Sequence, residues 1–384
     1  MRLGTRSLLA ASLIAGTLMP GAVVAAVQDG KAKDGKAQDG KQLDGRTIAL
    51  REKFFGAANV NSSTGAVRKD VVILTWAGVM TYAAAINGHV VLFDAWVARG
   101  EHSGYVPTDA GELAALKPEF VFIGHSHFDH AADAAQIIHE SGATVVGSPE
   151  HCDQIRSQVL SDYQAMGVTC LAAAPRGAAY GTVSHLKIIP AVAITAVTVV
   201  HSGAKAPDPS DPGGLHQPLL PPNDFSVIAD HPPTPKDVAF LGAHQTDKEN
   251  GCLLYQLTVG QFTLTMHDTS GPNKEDAPQV YAALRRLPKT DVEVASVQGF
   301  GQITNGGRDF RLIVEALRPQ ELIPGHHDNW LPGLSTRGSE YRPYVVQELA
   351  RIPAAQRPVL HWVQDPDDYL KPITFKINDP RWTR

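Results

Sequence analysis

Strand and helix signals that alternate along the chain, a proline-dense stretch that divides them into two halves, and a histidine cluster at one strand end predict an α/β fold. The run Val71-Val72-Ile73-Leu74-Thr75-Trp76 is unbroken and rich in β-branched residues, as a strand buried on both faces requires. Asn87-Gly88 marks a hairpin turn into Val90-Val91-Leu92-Phe93, because both turn residues accept a positive φ. The alternation continues with a helix over 111–116, a strand over 120–123, a helix over 131–139, a strand over 144–146 and a helix over 149–166. The second half carries strands over 186–189 and 194–200, a hairpin over 253–266 turned at Val259-Gly260-Gln261, and helices over 278–287 and 310–317. Between the halves, residues 203–236 hold Pro207, Pro209, Pro212, Pro218, Pro221, Pro222, Pro232, Pro233 and Pro235, which exclude regular helix or central strand. A segment of that length without structure of its own reads as the rim of a site or as an insert.

Composition narrows the class. At 384 residues, 43% hydrophobic and 19% charged, the chain has the make-up of a soluble globular protein with ample apolar surface for a core. Its formal net charge of -5 argues against a nucleic-acid partner, which demands a basic face. Three cysteines make no disulfide framework, and no C-x-x-C spacing offers a thiolate metal or redox site.

The N-terminus has the pattern of an export signal. Arg2 and Arg6 form a charged start, residues 8–15 an apolar stretch, and Val24-Ala25-Ala26 a small-residue cleavage site, so residues 1–26 are expected to be removed. Thr17, Pro20 and Gly21 interrupt the apolar stretch, which is too short to span a hydrocarbon core of roughly 30 Å. The expected location is secreted or periplasmic, with no membrane anchor after cleavage. In such a compartment two of Cys152, Cys170 and Cys252 could pair, or all three could be buried thiols. Residues 28–45 repeat Asp-Gly-Lys without an apolar face, and residues 27–69 are assigned to a flexible linker, leaving 70–384 as the folded domain with its insertion at 203–236.

The chemistry centres on His125-Ser126-His127-Phe128-Asp129-His130. An H-x-H-x-D-H string placed after an apolar strand and before a helix arises by chance in about one chain in a thousand at this histidine content. Imidazole and carboxylate are ligands for zinc and other first-row ions. Two histidines at i and i+2 can converge on one ion while Asp129 and His130 face a second. Two ions at roughly 3.5–4 Å would share a hydroxide near neutral pH, a nucleophile that needs no serine or cysteine.

In these residues the sequence resembles the metallo-β-lactamase superfamily, over most of residues 70–330. His201 follows one strand, Asp268 follows the second strand of a hairpin, and His326 follows Glu321-Leu322-Ile323-Pro324-Gly325, in the order and positions the family uses. The resemblance implies a four-layer αβ/βα sandwich. It implies a first metal on His125, His127 and His201, a second on Asp129, His130 and His326, and Asp268 bridging them. His327 competes with His326 for the last place. Thr75-Trp76-Ala77-Gly78 and Phe93-Asp94-Ala95-Trp96 look like the Trp-Leu-Gly-His and Asp-Pro-Trp elements of the UlaG-like and phospholipase D type branch, as does the loop over 299–307. Val79 stands where that branch has histidine, and His267 replaces its glycine before the bridging aspartate. Asp94 and His267 are placed behind the ligands, where a carboxylate orients a histidine by accepting its other N–H; a plain strand-end turn is the other position open to Asp94, and a place in the core to His267.

The resemblance implies an exported hydrolase holding two zinc ions, with manganese or iron as alternative metals, that cleaves an ester, lactone or amide bond of a small-molecule substrate. Asp129 is expected to position or deprotonate the attacking water. Phosphodiesterase and secreted β-lactamase are the other enzyme readings, and a metal-binding module without catalysis is the reading of another class. The residues after 330 are too few for a flavin domain. His216, Phe225, His231 and Trp330 are candidates to line the substrate site.

Overall fold

The computed structural model describes residues 43–211, 221–331 and 336–382. Strand β1 (Val71–Trp76) is buried along its whole length, as its apolar run requires. It pairs antiparallel with β2 (Tyr82–Ile86), which turns through Asn87 and Gly88, at φ 53° and 85°, into β3 (His89–Phe93). Strands β4 (Phe120–Phe122), β5 (Thr144–Gly147) and β6 (Cys170–Ala172) then add in parallel. The crossover helices Ala110–Ala115, Ala134–Ser141 and Pro149–Tyr163 cover this sheet through Leu113, Ile137, Ile138 and Ile155.

A second sheet begins with the antiparallel run β7 (Val183–Leu186), β8 (Val192–Val199), β9 (Cys252–Val259) and β10 (Phe262–His267). It continues in parallel through β11 (Val292–Ser296), β12 (Glu321–Gly325) and β13 (Val359–Leu360). Strand β14 (Pro372–Lys376) returns to the first sheet and pairs antiparallel with β1, Val71 opposite Lys376 and Thr75 opposite Pro372. Each sheet thus has seven strands among the described residues, in the orders β14-β1-β2-β3-β4-β5-β6 and β13-β12-β11-β10-β9-β8-β7.

The two sheets share one core. Tyr255 of β9 meets the Phe122 ring edge-on at 5.2 Å and donates its hydroxyl to the carbonyls of Ile123 and Val146, while Phe262 stacks on Phe375 of β14. Helices cover the second sheet as well: Tyr281, Leu284 and Ile313 pack with Val197 and Val199, and Phe310, Val314, Tyr341 and Val345 with Ala295 and Leu322. The result is helix, sheet, sheet, helix, the expected four-layer arrangement. Strand direction places the site. β3 and β4 are parallel, β10 and β12 run the same way through β11, and β8 shares the direction of β10 because both are antiparallel to β9. Asp94, His125, His201, Asp268 and His326 each lie just past the C-terminal end of one of these five strands.

Two expectations are corrected, and one alternative left open by the sequence is decided. The linker assignment over 27–69 extends too far: Gly45–Phe55 is a helix capped by Asp44, and it buries Phe54 and Phe55 against the first sheet. Its Arg51 guanidinium donates to the carbonyls of Leu116 and Gly65. The prolines of the insertion do not exclude helix, because Ser226–Asp230 fits between them and Pro235–His244 starts on one. Proline is tolerated at a first helical position, whose N–H has no intrahelical partner, and Thr234 and Asp237 complete a capping box there. Of the three cysteines, Cys152 and Cys170 form a disulfide between helix Pro149–Tyr163 and β6, leaving Cys252 as a buried thiol. The export signal, the Asp-Gly-Lys repeat before residue 43 and His216 lie outside the described residues.

Candidate metal centre

The H-x-H-x-D-H string leaves β4 as a loop and closes in the helical turn Phe128–Ala131. Ser126 ties the loop to the residues before β9, its N–H reaching Glu249 O at 3.0 Å and its hydroxyl Lys248 O at 2.8 Å. This holds the His125 and His127 rings 5.0 Å apart, with His201 4.7 Å from each. One nitrogen or oxygen from each of His125, His127 and His201 lies within 4.8 Å of the others, and the same holds for His125, Asp129 and His130 and for Asp94, His130 and Asp268. His326 joins through Asp129, its Nε2 3.2 Å from Oδ2, and His130 Nε2 is 3.5 Å from the same oxygen. All seven predicted ligands are therefore brought to one edge of the sandwich.

Orientation is as telling as proximity. His130 Nδ1 meets Asp94 Oδ2 at 2.8 Å, His201 Nδ1 meets Ser202 O at 2.9 Å, His326 Nδ1 meets Gln298 Oε1 at 3.2 Å and His125 Nδ1 meets Asp268 Oδ2 at 2.7 Å. With a proton on each Nδ1 these four imidazoles turn Nε2 inward, as metal-ligating histidines do. His125 Nε2 and His201 Nε2 are 3.2 Å apart. Two nitrogens at tetrahedral angles around zinc, with bonds of about 2.0–2.1 Å, would be about 3.3 Å apart. Asp268 Oδ1 is buried with no hydrogen-bond partner among the described residues, a charged oxygen that a cation would satisfy. The resemblance implies a bridging role for Asp268; here Oδ2 is engaged by the ring and backbone N–H of His125, and Oδ1 is the oxygen that remains.

Burial sets the protonation states. It pushes the His125 imidazole down to about 3 despite Asp268, and His201 to about 4 with help from the neighbouring charge of His127, so both are neutral ligands near pH 7. Asp129 is also buried, but His130 and His326 outweigh that cost and hold its carboxyl well below the usual range. Burial opposes the charged form of His130 too, and Asp129, Asp94 and Asp268 together raise it well above the ordinary value. Asp94 is pushed up to about 7, first by burial and then by the charge of Asp268.

Two of the remaining histidines have other work. His267 is engaged away from the ligands: its Nε2 pairs with Glu293 at 2.9 Å, with both side chains fully buried, and its Nδ1 meets Thr269 O. It therefore takes the core position rather than the place behind a ligand. His327 packs between Trp76 and Trp362 and holds Val363 O at 2.7 Å, facing away from the site that His326 enters. His326 reaches that site at φ 56°, its N–H on Val79 O. Val79, where the resembled branch has histidine, is a buried apolar residue whose N–H is held by Asp328. Sequence reasoning missed Gln298, which stands one residue past Val297 in the loop after β11 and touches both His326 and Trp330.

The four layers, the two mixed sheets and the strand ends that carry these residues decide the architecture. The chain has the metallo-β-lactamase fold. A solved structure with 15% identity and a TM-score of 0.50, Igni18, a metallo hydrolase from Ignicoccus hospitalis, aligns over 79% of this chain and 98% of its own. In sequence the chain is similar to UPF0173 metal-dependent hydrolases: 32% identical over 77 residues to one from Pyrobaculum neutrophilum, and 29% over 93 residues to one from Pyrobaculum calidifontis. These stretches cover 20% and 24% of this chain, and the chain spans 32% and 40% of those relatives. No protein-family model matches the chain. Within the metallo-β-lactamase fold the candidate residues gather at strand ends on one edge, where the groups of histidine and aspartate could hold a metal ion.

Proposed function

We propose that this protein is an exported metal-dependent hydrolase with a two-metal centre, cleaving an ester, lactone or amide bond of a small molecule. The observation that carries the reading is the convergence of four histidines with Nδ1 tied back and Nε2 facing inward beside the unpartnered Oδ1 of Asp268. His125, His127 and His201 would hold one ion, and Asp129, His130 and His326 the other. Bound there, zinc or a related ion supplies Lewis acidity that activates water and polarises a substrate oxygen.

The residues divide the remaining work. Asp129, kept ionised by His130 and His326, is the base that takes a proton from the attacking water. The water oxygen bonds to the acyl carbon, the carbon–oxygen or carbon–nitrogen bond breaks, and that proton goes to the leaving group. Trp330, half-buried and edge-on to His326 at 5.2 Å, and Phe128, 6.1 Å from Trp330, form an apolar wall beside the ligands that suits a hydrocarbon portion of the substrate. The Cys152–Cys170 disulfide supports export, since such bonds persist in oxidising compartments.

Turnover of a lactone, an aryl ester, an amide, a β-lactam and a phosphodiester by the purified protein, with metal content measured alongside, tests the reading. Chelator-sensitive hydrolysis of an acyl substrate that Asp129→Ala abolishes is the expected result. Two bound ions with no turnover of any class would instead favour the binding module, and phosphodiester cleavage alone would move the reaction to phosphorus. N-terminal sequencing of the protein recovered outside the cytoplasm tests export, with a start near residue 27 expected.

A further inference from the structure

Gln298 joins two groups that differ in what they can offer. Its Oε1 lies 2.6 Å from the indole Nε1 of Trp330 and 3.2 Å from Nδ1 of His326. An amide presents an oxygen or an NH₂ group, and the two are related by a flip. Indole N–H can only donate, so the amide atom facing Trp330 must be the oxygen. That same oxygen faces His326, and an oxygen can only accept. The Nδ1 of His326 therefore carries a proton, and Nε2, 3.2 Å from Asp129 Oδ2, is the nitrogen left to face a cation.

We infer that Gln298 is a positioning residue for the second metal: Trp330 locks its amide, and the locked amide selects the tautomer in which His326 binds a cation through Nε2. The fold holds both ends of this chain of contacts in place. Val297 N–H is bonded to Gly325 O, so the loop carrying Gln298 and the one carrying His326 leave adjacent parallel strands in fixed register. The Trp330 carbonyl accepts from the backbone N–H of Arg99 and its backbone N–H donates to Asp328 O, which fixes the main chain that carries the indole, and the ring itself packs against Trp96 and Phe128. Without the indole the amide could flip, place its NH₂ against Nδ1, and favour the tautomer whose Nε2–H repels a cation. The inference rests on the reading of His326 as a ligand.

The test is titration of metal-stripped full-length protein with Zn²⁺ by calorimetry, with ¹⁵N-histidine NMR of the zinc-loaded protein to report the His326 tautomer. Gln298→Leu is expected to weaken the second zinc by about 10- to 100-fold while the first binds as in the parent protein, the range set by loss of a partner that orients a ligand. Gln298→Glu, which accepts at both positions, should bind the second zinc at least as tightly as the parent. Trp330→Phe keeps a ring but removes the N–H, and should weaken the second zinc and populate the other tautomer. An unchanged first zinc and thermal midpoint show that each variant is folded. A Gln298→Leu protein with parental affinity at the second site, a Gln298→Glu protein as weak as Gln298→Leu, or a Trp330→Phe protein with the parental tautomer and affinity overturns the inference. His326→Ala separates the two levels: if it keeps both ions, the ligand assignment itself fails, whereas loss of one ion upholds that assignment, and the Gln298 and Trp330 variants then decide the positioning role.

Discussion

Gly124, the residue before the motif, shows how tightly this centre is built. A Cβ there would sit 2.2 Å from Asp268 Oδ2 and 2.3 Å from its carboxyl carbon, with no flexible arm to retreat along because the same carboxylate is held by His125. Gly124→Ala is expected to displace Asp268, lowering metal content and activity sharply, and metal analysis of the purified variant checks this. Asp133 gives a pH dependence. Burial pushes its carboxyl up to about 7 in the folded chain from an ordinary 3.8, although its Oδ2 accepts the N–H of Val97 at 2.7 Å. Between these values the native state binds the extra proton, so this group lowers stability as pH rises from about 4 through 7 and continues to cost above that. Asp133→Asn keeps an acceptor for Val97 but has no charge to bury. In chelator, its melting temperature should match the parent below pH 4 and exceed it at pH 8. Four positions of the motif were legible because the chemistry they share is local in sequence. The partners of His326 were not, because a glutamine and a tryptophan 32 residues apart become one hydrogen bond only after two strands pair.

Elements differ in how far the sequence reaches. The β2–β3 hairpin and the β9–β10 hairpin announce themselves through turn residues, and their pairing partners are their neighbours. β14 pairs with β1 some three hundred residues away, and short exposed runs of that kind have no local signal. The helix Gly45–Phe55 was hidden by the Asp-Gly-Lys repeat that leads into it, although Phe54-Phe55 is an apolar pair that a flexible linker has no reason to contain. The insertion is anchored by ion pairs that its prolines do not advertise: Asp208 with Lys274 and Arg308, and Asp211 with Arg311 and Arg351. The disulfide belongs to this scale too. It closes a loop of 18 residues between a helix and the edge strand β6. Loop-closure entropy for that length is worth about 3 kcal/mol, so a Cys152→Ser, Cys170→Ser protein should lose stability of that order in denaturant titration while keeping the metal content of the parent protein.

At the scale of the whole molecule, the centre is where two sheets meet. The candidate ligands from the first sheet (His125, His127, Asp129, His130) and from the second (His201, Asp268, His326) have no common site in an unfolded chain. Metal binding at this centre would therefore be linked to folding of both halves. Removal of metal by chelator is expected to lower the melting temperature, and free metal at a thousandfold excess over Kd to restore about 4 kcal/mol. Scanning calorimetry with and without chelator measures this, and an unchanged midpoint would contradict a centre shared between the sheets. The sequence by itself determined the class, the alternation of strands and helices and the candidate metal-ligating string, because each of these is written in spacing and periodicity within a short window, while its distant partners came from the resemblance to the metallo-β-lactamase superfamily. The tertiary structure alone decided that His267 turns to Glu293, that His326 rather than His327 enters the site, that Cys152 meets Cys170, and that each of the four inward imidazoles is held from behind by its own acceptor. Those outcomes depend on which strands lie side by side and which way each side chain leaves its strand end, and burial then assigns each polar atom the partner that packing brings within reach.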